Sequence, residues 1–139
     1  MEQKRLFFGF EISAPWPSFL PKGRILEEEN RHLTLAFLGR IDFDVLRALL
    51  PQIPLPDFKV GFTGHFDKTL FLPKAHPKVV AWNVAWHDGA AAIVNYNHVL
   101  ISWLKDHGFH PDEREEFLHH VTLSRAPFDF HAWRQAFGK

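Results

Sequence analysis

Two short stretches of this 139-residue chain carry the same side chains at the same spacing: His32-Leu33-Thr34-Leu35 and His120-Val121-Thr122-Leu123. Each lies in an apolar run with strand propensity, and side chains on a strand alternate faces. Alternation sends His32 and Thr34 to one side, with Cα atoms roughly 6 to 7 Å apart, and Leu33 and Leu35 to the other. The same parity pairs His120 with Thr122 and turns Val121 and Leu123 inward. If the two strands lie side by side or face one cleft, two imidazoles and two hydroxyls converge on a volume the size of a phosphate group. Imidazoles titrate near neutrality, so one can take a proton from an attacking water while the other gives one to a leaving alkoxide. Hydroxyls fixed beside a phosphate meet the charge on its non-bridging oxygens. The set suits phosphodiester hydrolysis and needs no metal. A lone His-x-Thr reads as well as a histidine hydrogen-bonded in a half-buried strand, so it is the repetition that points to chemistry.

Composition removes several other classes. Lys plus Arg (16) balances Asp plus Glu (16), so the chain lacks the broad positive field of a non-specific duplex binder, and a nucleic-acid substrate must be gripped locally. The absence of cysteine excludes thiol catalysis, disulfides and thiolate metal sites. Hydrophobic residues make up 46% of the chain, with 15 Phe and 5 Trp, a composition that buries a core. One domain over residues 1–139, with room for two lobes, is expected. The opening MEQKRLFFGFEIS carries Glu11 inside a short apolar run and does not read as a secretory signal; no stretch approaches the ~20 apolar residues of a membrane helix. A cytoplasmic monomer with no membrane partner, no protein partner and no cofactor is the expectation.

The elements that must position the four residues follow from pattern. Arg5–Ile12 reads as a central strand with both faces apolar. Pro15, Pro17 and Pro21 make the next stretch a loop. Arg31–Gly39 is a strand, and Asp42–Leu50 a short amphipathic helix with its stripe at Phe43, Leu46, Leu49 and Leu50. Phe58–Phe62, Thr69–Leu72 and Val79–Trp86 are further strands. Asp88–His107 is the longest helix, capped by Asp88, with Ile93, Asn97, Leu100 and Leu104 on its inner face. Glu116–Ser124 is a last strand and Asp129–Phe137 a last helix. The whole is an α+β domain. Arg125, three residues beyond Thr122, could contact a phosphate or stack on a base, but alternation turns it away from His120 unless the strand ends or bulges before it. Phe8 and Phe10 are candidates for a base-stacking wall as well as for core packing. By parity His119 points away from the site. Asp106, His107 and His110 could hold a metal, but the helix break between them spoils the geometry; the eleven-residue recurrence of His65, His76, His87 and His98 has no matching surroundings and reads as coincidence.

HLTLAFLG and HHVTLSR resemble the paired H-x-T-L motifs of the two-histidine phosphoesterase superfamily, and within it the LigT-like RNA 2',3'-cyclic phosphodiesterases, or 2'-5' RNA ligases. RLFFGFEI is similar to the family's first strand, and WNVAW followed by a helix is similar to its middle. The resemblance implies a bilobal fold of two antiparallel sheets with pseudo-two-fold symmetry about a central cleft, helices outside. It implies that His32 and His120 are the catalytic pair, that Thr34 and Thr122 hold the phosphate, and that Arg125 contacts substrate. The implied substrates are RNA 3' ends or small cyclic nucleotides, opened to a 2'-phosphate, with reverse 2'-5' ligation as a companion activity. Three features depart from the family pattern: His119 stands where a proline is usual, the proline-broken stretch after Ile12 leaves little room for a first long helix, and the chain ends soon after the second motif. A non-catalytic nucleotide-binding module of this fold and a metal-dependent hydrolase are the rival readings.

Overall fold

The computed structural model describes residues 3–58, 61–112 and 119–137. In chain order the strands and α-helices are β1 (Gln3–Glu11), β2 (Gly23–Ile25), β3 (His32–Asp42), α1 (Phe43–Leu49), β4 (Gly64–Leu72), β5 (Val79–Trp86), α2 (Ala90–Asp106), β6 (His120–Phe128) and α3 (Phe130–Phe137). The α+β class holds. The strands follow one hydrogen-bonded order, β1-β3-β6-β5-β4, with β2 paired to β6. β3 and β6 pair at Leu33 and Val121. β1 ends that order and is not central: its burial alternates, with Leu6, Phe8 and Phe10 half-buried and their neighbours exposed. Its second apolar side is explained by ring stacking on an open face, Phe7 lying over Phe37 at 6.3 Å. Among the described residues no helix is long and apolar enough to cross a membrane.

Two compact units partition the chain. The first comprises Met1–Gly9, Thr34–Thr63 and Trp86–Phe117. Asp42 caps α1, its Oδ1 accepting from Asp44 N at 2.9 Å, and Leu46 alone of the expected stripe is buried. On α2 the buried residues are Ile93, Asn97, Leu100 and Leu104, the positions that helical spacing picks out. Asn97 tolerates burial because its Nδ2 donates to Leu35 O at 2.7 Å. Asp88 does not cap α2. The cap is Gly89, at φ 78, and the Asp88 carboxylate accepts instead from Thr63 N at 3.0 Å.

The expected strand over Phe58–Phe62 is also absent from its described residues, Phe58, Gly61 and Phe62. The Phe58 and Phe62 rings pack on each other at 4.9 Å, and Tyr96 of α2 meets Phe58 edge-on at 6.1 Å. These aromatics cover the start of α2 instead of joining a ladder. Tyr96 donates to Pro54 O at 2.8 Å, and burial pushes its phenol above the usual range. A Cβ on Gly89 would lie 2.5 Å from Phe62 Cγ. Gly89→Ala should therefore cost at least ~1 kcal/mol in urea denaturation, from the left-handed backbone together with that clash. Unchanged stability would mean that the Phe62 ring is not seated there.

The second unit comprises Phe10–Leu33, Gly64–Ala85 and Leu118–Lys139. β6 is flanked by β5 on one side and by β2 and the start of β3 on the other. One face carries the core, Val80, Trp82, Leu123 and Trp133, with Trp16, Leu20, Phe66, Phe71, Phe128 and Phe137 packed against it. Asp129 caps α3, its Oδ1 accepting from Ala132 N at 3.0 Å. Trp133, fully buried, donates its Nε1 to Lys22 O at 3.1 Å, which ties α3 to the residue preceding β2. The proline-rich loop contains no helix. It is anchored by Trp16, which stacks on Phe66 at 5.3 Å and under the Arg31 guanidinium at 4.8 Å. Arg31 in turn donates from Nε to Leu26 O at 3.0 Å, holding the chain just before His32.

Candidate active site

Within the second unit, the position of each site residue follows from cross-strand register. Leu33 opposes Val121, and both are fully buried, so this pair belongs to the core face. Its neighbours on the two strands lie on the opposite face, and antiparallel register sets His32 beside Thr122, with Cβ atoms about 4.5 to 5.5 Å apart. His120 is then the diagonal neighbour of His32, at about 7 to 8 Å. Two imidazoles at that separation can flank one phosphorus, with the Thr122 hydroxyl between them. Thr34 follows His32 by two residues on β3 and takes the same face of that strand.

His32 Nδ1 lies 2.8 Å from Asn30 O. A carbonyl only accepts, so Nδ1 carries the proton of this hydrogen bond, which fixes the orientation of the ring. The carbonyl that orients the ring belongs to a 3-10 turn, Glu28–Asn30, that the sequence does not announce. On the other flank of β6, Asn83 opposes His120 and donates from Nδ2 to Asp67 Oδ1 at 2.7 Å. Asn83 went unnoticed in the sequence because nothing but register connects it to His120.

Register also resolves the parity of Arg125. Ala81 opposes Thr122 and Val80 opposes Ser124, so one step on β5 spans two on β6. Leu123 is the extra residue of a β-bulge. Val80 and Ser124 are both fully buried, and Val79 opposite Arg125 returns the strand to the face of Ala81, Thr122 and His120. The bulge thus puts Arg125, which is exposed, on the histidine side, where unbroken alternation would have sent it into the core. His32, His120, Thr122 and Arg125 share one face of this unit. Phe8 and Phe10 are not part of that register; they take the half-buried side of β1.

Of the remaining histidines, His107 is occupied by Trp103, with Nδ1 2.9 Å from the Trp103 carbonyl and its ring 4.8 Å from the indole. His119 uses its own carbonyl to accept from Val84 N at 2.8 Å. Among the described residues no group of three or more His, Cys, Asp or Glu is placed to hold a metal ion.

No family model matches the sequence, and no curated protein does. Solved structures do match. E. coli LigT in its apo form is similar at a TM-score of 0.60 and 22% identity, over 90% of this chain and 73% of that one. LigT complexed with 3'-AMP is similar at 0.64 and 22%, over 93% and 76%. A structure described as a phosphoesterase is similar at 0.62 and 22%, over 95% and 82%. At these identities the likeness speaks for the backbone, and the chain has the LigT-like two-histidine phosphoesterase fold.

Proposed function

We propose that the chain is a metal-independent phosphodiesterase that opens 2',3'-cyclic phosphates on RNA 3' ends or small nucleotides to 2'-phosphates. The observation that carries this reading is the register that sets His32 and His120 diagonally across one sheet face with Thr122 beside them. In support, the LigT structures that share the fold are complexed with 3'-AMP, phosphate and ATP, ligands that all bear phosphate.

His120 acts as general base and takes a proton from water as the water oxygen bonds to phosphorus. His32, charged, gives its Nε2 proton to the 3'-oxygen as the bond from phosphorus to that oxygen breaks. The 2'-oxygen keeps the phosphate. The Thr34 and Thr122 hydroxyls donate to the non-bridging oxygens, and fixed donors of this kind stabilise developing charge without reorganising. Arg125 contacts the substrate as a charge-assisted donor; Phe8 and Phe10, half-buried on β1, fit core packing better than a wall for the base. A 5'-hydroxyl in place of the water would form a 2'-5' linkage by the same steps.

The test is incubation with 2',3'-cyclic nucleotides in EDTA. The expected product is the nucleoside 2'-monophosphate. No product would refute the enzyme reading for these substrates and leave a nucleotide-binding module. Activity lost on chelation and restored by zinc would favour a metal-dependent hydrolase.

A further inference from the structure

The face that carries the histidines continues past Thr122 into a pair of arginines. Arg24 of β2 directly opposes Arg125 of β6, so the two side chains leave on the same side, the side to which the bulge at Leu123 returns Arg125. Both are exposed. Like charges directly opposite each other weaken a sheet, and among the described residues no carboxylate pairs with either guanidinium. Arg24 spends one donor on Ala126 O at 3.3 Å, which steadies the fork and leaves its other N–H groups outward.

The approach of β2 to β6 that creates this pair depends on Gly23. A Cβ there would lie 2.5 Å from Ser124 Oγ and 2.9 Å from Phe128 Cβ. In a chain of formal net charge zero, an arginine pair held by close strand packing, with no carboxylate partner among the described residues, is a local anion grip.

Its place relative to the histidines is set by the same ladder. One row across the sheet reads Arg24, Arg125, Val79; the next reads His32, Thr122, Ala81; His120 and Asn83 lie one row further. Val79 and Ala81 are two residues apart on β5, so the arginine row lies about 6 to 7 Å from the His32 row. It flanks that row on the side away from His120. A phosphate held between the histidines therefore has a second anion site one row away, within a nucleotide's reach.

We propose that Arg24 and Arg125 form a second phosphate subsite, which holds the next phosphodiester of an RNA chain whose terminal phosphate lies between His32 and His120. The inference rests on the cyclic-phosphodiesterase reading for the terminal phosphate. It makes the preferred substrate an oligonucleotide, since a mononucleotide has no second phosphodiester to offer.

The experiment measures binding of two product-like ligands, a trinucleotide ending in a 2'-phosphate and a nucleoside 2'-monophosphate, to the parent protein and to Arg24→Gln. The variant should weaken trinucleotide binding about tenfold and mononucleotide binding no more than about twofold. The slope of log affinity against log salt for the trinucleotide should shrink by about 0.7, one phosphate contact on a single strand. Arg24→Lys should recover part of the loss. Equal losses on both ligands, no loss on either, or no binding of the trinucleotide by the parent would overturn the subsite. Turnover is assayed separately: Arg24-dependent trinucleotide binding without hydrolysis of a cyclic-phosphate end would refute the enzyme reading and leave the subsite standing.

Discussion

His120→Ala and His32→Ala should each lower turnover of a 2',3'-cyclic nucleotide by at least ~10²-fold, the size of a lost general acid or base. Both residues are half-buried on the sheet face away from the core, so the variants should melt near the parent temperature. The double variant should be little worse than either single one, because acid and base act on the same step. In the parent, the base must be neutral, so the rate rises as pH climbs through its pKa. The acid must be charged, so the rate falls as pH climbs through the other. The rate profile is a bell, and each single variant should lose one limb of it. Variants with near-full activity, or a flat profile in the parent, would refute the pairing.

Trp133→Ala should destabilise the protein by about 3 to 5 kcal/mol in urea denaturation. Trp133 is fully buried and sits in the cluster of Val80, Trp82 and Leu123, so its removal deletes the indole contacts and leaves a cavity. It also orphans the Lys22 carbonyl. Trp133→Phe keeps much of the packing and loses the hydrogen bond, and should cost clearly less. Activity per folded molecule should survive both changes, because Trp133 packs on the face opposite His120. A loss below ~1 kcal/mol for the alanine variant would show that α3 is not a working part of this core.

The features legible from the residues are those governed by short-range physics. The buried positions of α2 follow from helical spacing, the Asp42 cap from an acceptor placed at a helix start, and β5 over Val79–Trp86 from β-branched and aromatic content between turn residues. The common face of His32 and Thr34, and that of His120 and Thr122, follows from strand alternation alone. Where local signals failed, a contact distant in sequence had won. Asp88 is a sound cap by residue type, but Gly89 takes the cap and the carboxylate turns to Thr63. The Phe-rich opening looks central until Phe7 spends its apolar surface on Phe37. The strand expected over Glu116–Ser124 runs from His120 to Phe128, with Glu116–Leu118 outside the described residues.

Residue type and spacing, then, are what nominate the histidines and threonines and the chemistry proposed for them. Folding settled which of their neighbours share that face. The diagonal of His32 and His120, the return of Arg125 past the bulge at Leu123, and the juxtaposition of Arg24 with Arg125 all depend on hydrogen bonds between strands far apart in the chain. A one-residue slip in such a ladder sends every side chain to the other face, and no local pattern of residues encodes that register.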